Sequence, residues 1–257
     1  MSQTTFMSGS VRINIRNGIS EITFFHPQSN SLPGELLRKL ADEIELAGND
    51  KEIIAIVLRS EGEKTFCSGA SFDELISIES FQQGKIFFSG FAAVINAMRK
   101  SPKFVIARVQ GKAVGGGVGL ASAADITFAH ESASVKLSEL AIGIGPFVVG
   151  PAVERKIGKS AFMELTINAT EWKSASWAKE KGMYAEIFST INEMDIAIND
   201  LAQKLLLSNP EAMSMLKKVF WEGTEHWETL LDERAAMSGK LVLSEFTKKA
   251  ITKFKAR

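Results

Sequence analysis

The sequence is short of the residues that build disulfides, metal sites and charged binding faces. It has one cysteine, Cys67, and three histidines, His26, His130 and His226. A lone cysteine cannot close an intramolecular disulfide, and no Cys/His set has zinc-ligand spacing, so no metal or redox cofactor is expected. Net charge is also missing: 30 basic and 30 acidic residues cancel. Such a balance offers no global field for nucleic acid or an anionic membrane. Long hydrophobic runs are absent too. The longest stretch free of charge and amide, residues 140–153, contains two prolines and three glycines and falls short of the roughly 18 apolar residues of a membrane span. The first ten residues carry no basic start followed by an apolar core, so no signal peptide and a cytoplasmic location are expected.

What remains is ordinary globular composition: 257 residues, 45% hydrophobic and 23% charged. That excludes a disordered tail, a collagen-like fibre and a coiled-coil rod. Val11, Ile13 and Ile15 alternate with polar residues, Asn17-Gly18 supplies a turn, and 19–25 returns as the second arm of a hairpin. A polar turn at Asn30 and Ser31 is placed to cap a helix starting at Pro33, with Leu36, Leu37, Leu40, Ile44 and Leu46 as its apolar stripe. The run 53–58 reads as a strand buried on both faces. Residues 81–98 then read as a helix, 104–109 as a strand, 119–124 as a helical turn and 125–129 as a strand. Helix alternating with buried strand is the rhythm of an α/β fold. After about residue 195 the strand signals stop, and 196–207, 210–221, 225–239 and 244–254 read as helices. The spacing predicts an α/β core over 1–195 and a helical segment over 196–257.

Two glycine-rich loops follow buried strands. The first is Thr65-Phe66-Cys67-Ser68-Gly69-Ala70-Ser71-Phe72; the second runs from Gly111 through Gly115-Gly116-Gly117-Val118-Gly119. Small residues there let a ligand approach the backbone, and the second loop leads into a helix whose first N–H groups lack internal partners. Tight helix–sheet packing explains the glycines equally well. Nucleotide-binding patterns do not. G-x-G-x-x-G counted from Gly115 meets Leu120 at its third glycine, and counted from Gly117 meets Ser122. Gly158-Lys159-Ser160 resembles the end of a P-loop, but Val153 stands where the earlier glycine is required. Glu139 precedes a long apolar stretch without a basic residue. A carboxyl desolvated there would have a raised pKa suited to proton transfer, whereas a loop glutamate in general is surface decoration. Cys67 reads as a small buried filler, since no histidine stands ready as its base.

The order F-C-S-G-A, then A-V-G-G-G-V-G-L-A-S-A-A-D, then L-S-E-L-A-I-G-I resembles the crotonase family of enoyl-CoA hydratases and isomerases. Within it, the segment resembles the bacterial methylglutaconyl-CoA hydratase-like branch. The resemblance implies an α/β, crotonase-like spiral of repeated ββα units with a C-terminal helical oligomerisation segment, assembled as a homotrimer or a pair of trimers. It implies an acyl-CoA thioester as substrate, with no cofactor beyond the CoA that the substrate carries. Carried over by position, it makes the backbone N–H groups of Ala70 and Gly116 an oxyanion hole and Glu139 the acid/base. Ser68, Gly69, Phe72, Gly115, Gly117 and Gly119 would line the substrate site. Two departures stand out: Gly119 occupies the position where two-glutamate hydratases carry their other acid, and Ser71 stands where many members have aspartate. Glu154 is a candidate replacement acid, a solvated helix face being the alternative. The basic tail from Lys248 to Arg257 would approach the CoA phosphates of a neighbouring subunit, or form a solvated helix end. Hydration of a 2-enoyl-CoA is the expected reaction. A Δ3,Δ2-enoyl-CoA isomerase is one alternative, and a non-catalytic member that binds acyl-CoA or RNA is another.

Overall fold

The computed structural model describes residues 9–255. The opening segment on which the expectation of no leader rests lies outside the described residues, as does the end of the basic tail at Arg257. Strands β1 (Ser10–Arg16) and β2 (Ile19–Phe25) form the expected antiparallel hairpin, with Asn17 and Gly18 both at positive φ. Then come α1 (Gly34–Asn49), β3 (Ala55–Ser60), β4 (Thr65–Cys67), α2 (Phe72–Ser77), α3 (Phe81–Lys100), β5 (Phe104–Val109), β6 (Lys112–Val114) and α4 (Gly116–Ala123). They are followed by β7 (Ile126–His130), β8 (Ser134–Lys136), a 3-10 turn (Leu140–Ile142), α5 (Gly150–Ile167), β9 (Lys173–Ser174), α6 (Ala175–Glu180) and β10 (Glu186–Phe188). Helices α7 (Ile191–Leu206), α8 (Pro210–Phe220), α9 (Trp227–Leu241) and α10 (Glu245–Lys255) close the chain.

The strands divide between a six-stranded sheet, ordered β1-β2-β3-β5-β7-β10, and a four-stranded sheet, ordered β4-β6-β8-β9. The division explains the architecture. Each of β3, β5 and β7 lies parallel in the larger sheet, and the short strand after it (β4, β6, β8) joins the smaller one before a helix returns the chain. This is the spiral of ββα units that the resemblance implies. Each step from long to short strand makes a sharp corner, and the loops after β4 and β6 gather at one end of the smaller sheet. The core fills the space between the sheets and α1, α3 and α9, with Ile22, Leu58, Phe66, Val94 and Leu231 fully buried.

Several local expectations need correction. Leu46 is 64% exposed, because the buried face of α1 runs from Leu40 and Ile44 to Ala47 and Gly48, and Leu46, two positions after Ile44, lies on the opposite side of the helix. Asn30 and Ser31 do not cap α1. The free N–H of Gly34 is taken instead by the Glu74 carboxylate at 2.7 Å, and Pro33 makes no side-chain cap. The helix expected at 196 starts at Ile191, where Thr190 and Glu193 form a reciprocal capping box; the expected boundary at 195/196 therefore falls inside α7. Helix α4 begins at Gly116 rather than Gly119. Among the described residues no helix is long and apolar enough to cross a membrane.

Candidate active site

The loop after β4 is held from both sides. Leu32 pairs with Ala70 in an isolated parallel bridge: the Leu32 N–H donates to Gly69 O at 2.8 Å and the Ser71 N–H donates to Leu32 O at 3.4 Å. In that pattern the N–H of Ala70 points away from Leu32, and no acceptor among the described residues takes it. Gly69 has φ +88°, a conformation open to glycine at little cost. Asn30 donates from Nδ2 to Glu61 O and Thr65 O at 2.8 and 2.9 Å, and Gln110 donates from Nε2 to Thr65 O at 3.1 Å. Both amides are buried. They fix the turn between β3 and β4 and the first residue of β4, the strand that leads into the loop; sequence reasoning missed this role, since Asn30 reads as part of a helix-capping turn.

The loop after β6 turns at Gly115, whose φ is +53° and whose N–H donates to Lys136 O at 2.9 Å. Its carbonyl accepts from Val118 and Gly119, which starts α4 and leaves the Gly116 N–H without an acceptor among the described residues. The two loops touch. A Cβ built on Gly69 would lie 3.4 Å from Gly116 N, and one on Gly116 would lie 2.1 Å from Cε1 of Phe91, so the Phe91 ring covers this glycine. Position 116 therefore has no room for a side chain.

Glu139 approaches from the end of β8, at the start of the 3-10 turn. Its Oε1 would be 2.9 Å from a Cβ on Gly115, so the carboxyl rests directly on the second loop. The residue as a whole is half-buried, but its Oε2 is sealed from solvent and has no hydrogen-bond partner among the described residues. Desolvation pushes this carboxyl up to about 7. Ala70, Gly116 and Glu139 line one cavity of about 50 Å³, together with Ser68, Gly69, Phe72 and Gly115. Its other walls are mainly apolar, from Leu75, Phe88, Ile142, Phe147 and Val149 among others, and Ser238 of α9 reaches it from the C-terminal helices. A space of this size holds a few water-sized groups.

A larger cavity of about 570 Å³ lies on the other side of the six-stranded sheet, against α7 and α8. Its carboxylate, Asp125, is already saturated: it accepts from Val105 N at 2.7 Å, Lys217 Nζ at 2.5 Å and Trp221 Nε1 at 2.9 Å. The smaller cavity, with two free backbone donors and an unpartnered carboxyl, is the chemically equipped one.

Residues 14–257 match the family profile described as Enoyl-CoA hydratase/isomerase. The chain belongs to this family. Human mitochondrial methylglutaconyl-CoA hydratase is 34% identical over 200 residues, 76% of this chain and 58% of that protein. The chain thus spans less than two thirds of the length of this relative. The short-chain-enoyl-CoA hydratase of Clostridium acetobutylicum is 27% identical over 239 residues, 92% of this chain and 90% of the relative. A crystal structure of enoyl-CoA hydratase from Bacillus halodurans superposes with a TM-score of 0.87 at 23% identity, over 95% of this chain and 99% of the other, which establishes the fold.

Three expected positions of this enoyl-CoA hydratase/isomerase family member fall elsewhere. Gly117 does not line the cavity: a Cβ there would sit 2.5 Å from Cys67 O, so it packs the two loops together. Gly119 is also outside the wall and backs onto Val149, whose Cγ1 would be 2.5 Å from an added Cβ. Val149 itself faces the cavity, so an aliphatic side chain fills the neighbourhood where two-glutamate members carry an acid. Glu154 is exposed on α5 and does not reach the cavity. Cys67 is fully buried, accepts from Gly69 N at 3.3 Å, and its thiol is pushed up to about 12 by burial, which suits a filler and not a nucleophile.

Proposed function

We propose that the cavity takes the acyl part of a CoA thioester and that the protein adds water across the 2,3 double bond of a 2-enoyl-CoA. The N–H groups of Ala70 and Gly116 donate to the thioester oxygen. Water forms its C–O bond to Cβ and passes one proton to the Glu139 carboxylate. The π pair moves onto the thioester as an enolate, which the two donors stabilise. Glu139 then returns the proton to Cα, the thioester carbonyl re-forms, and the carboxylate is regenerated. One water is consumed per 3-hydroxyacyl-CoA formed. Removing a donor of this kind costs about 2.7–4 kcal/mol in comparable enzymes, and general acid–base transfer contributes about 10²–10⁴-fold.

The observation that carries the reading is the convergence of two unpartnered backbone N–H groups and one sealed carboxyl, raised to about 7, on a single apolar cavity. Near neutral pH both forms of Glu139 are populated, so one group can accept a proton and return it. An unpaired buried carboxyl costs stability, which a purely acyl-CoA- or RNA-binding relative would have no reason to keep. The hydratase names of the relatives point the same way. Isomerisation is the second reading, favoured by Val149 beside Gly119: moving one proton between Cα and Cγ needs no second acid. Crotonyl-CoA and a 3-enoyl-CoA separate the two. Loss of enoyl absorbance with formation of the 3-hydroxy product is expected from the first; faster gain of enoyl absorbance from the second would favour isomerisation.

For assembly, a homotrimer or a pair of trimers is supported by Met215, Leu216, Val219 and Phe220, exposed on one face of α8. Light scattering on a sizing column tests it, and a monomer would exclude it.

A further inference from the structure

From the side chains around the cavity, we infer that the acyl group this site accepts is short and uncharged, and that a dicarboxylic acyl chain is excluded. The inference rests on the proposed acyl-CoA reading and narrows its substrate class. Likeness to methylglutaconyl-CoA hydratases would suggest the opposite, since that acyl group ends in a second carboxylate.

Among the described residues the wall has no lysine, arginine or histidine, and its one ionisable group is Glu139. Its other side-chain polar groups are the hydroxyls of Ser68, Ser138 and Ser238, and Ser68 already donates to Gln28 O at 3.3 Å. The lysines flanking the second loop and β8 do not help. Lys112 and Lys136 both stack on Trp172, at 5.2 and 4.4 Å from the ring centroid, and neither lines the cavity. A terminal carboxylate would therefore lose its water without gaining a counter-charge and would share a small apolar space with the Glu139 carboxyl. A terminal methyl group pays no such penalty, and the phenylalanine and valine walls favour it. The volume of about 50 Å³ favours a chain of a few carbons.

The experiment compares acyl groups of equal length that differ in this one group. Hydration of 2-pentenoyl-CoA and glutaconyl-CoA is followed by absorbance at pH 8, and pentanoyl-CoA and glutaryl-CoA serve as competitive ligands. The uncharged member of each pair is expected to win by about 100-fold or more, in kcat/KM and in Ki. Glutaconyl-CoA or glutaryl-CoA within about fivefold of its partner would overturn the inference while leaving the acyl-CoA reading standing. If no thioester binds, the acyl-CoA reading itself fails and the inference falls with it. If pentanoyl-CoA wins but nothing is hydrated, the specificity holds and the hydration chemistry fails.

Discussion

Replacing Glu139 with glutamine should abolish proton transfer and, at alkaline pH, make the protein more stable. Burial raises this carboxyl from an ordinary value of 4.5 to about 7. Well below 4.5 the group is protonated in the folded and unfolded chains alike and adds nothing to the pH dependence. Between 4.5 and 7 the unfolded chain releases its proton while the folded chain holds it, so stability falls as pH rises. Above 7 the whole penalty is present. With 1.36 kcal/mol per pKa unit, the shift corresponds to about 3 kcal/mol at full extent, of which about 2.5 kcal/mol develops between pH 5 and pH 8. For a chain of this size each kcal/mol moves Tm by roughly 2–4 °C. Thermal melts of wild type and Glu139→Gln at pH 5 and pH 8 isolate the effect, because the pH-independent cost of the amide and the titration of all other groups cancel in the double difference. On going to pH 8, the variant should gain roughly 5–10 °C relative to wild type. A difference in Tm that is the same at both pH values would refute the claim that this carboxyl is buried without a partner.

Gly116→Ala places a methyl group against the Phe91 ring. It should cost about 1–3 kcal/mol in denaturant unfolding and lower kcat by about 10²-fold or more through displacement of the donor; Phe91→Leu in the same chain should recover the stability and not the full rate. Asn30→Ala strands the carbonyl of Glu61 and the N–H of His26, while Thr65 O keeps Gln110; it should destabilise by about 2–3 kcal/mol, with a loss of kcat exceeding any change in KM. Cys67 should resist a thiol reagent at pH 8 in the native protein and react at once in denaturant; rapid native reaction would contradict its burial.

The loops and Glu139 could be read from the sequence because each is a local pattern: small residues after a buried strand, and an acid ahead of an apolar stretch. The long strands of the six-stranded sheet were legible for the same reason: β1 alternates apolar and polar residues up to a turn signal from which β2 returns, and β3 and β5 carry continuous apolar runs. The strands of the smaller sheet were not. β4, β6 and β8 have three residues each, too few to show a period. The contacts that shape the site join distant positions. Phe91 covers Gly116, Val149 fills the space beside Gly119, and Asn30 and Gln110 anchor the start of β4 across 35 and 45 positions. No pattern along the chain encodes such pairings. Leu46 shows the reverse failure: it is apolar but lies two positions after Ile44, off the face that Ile44, Ala47 and Gly48 bury, so helical spacing read strictly would have left it out.

The central claim is that two backbone donors and a single carboxyl perform the hydration. Its most direct test is kcat/KM for crotonyl-CoA with wild type beside Glu139→Gln, the variant checked for folding by its melt. The expected result is measurable hydration by wild type and a loss of about 10²–10⁴-fold in the folded variant. A variant within tenfold of wild type would show that Glu139 does not carry the proton.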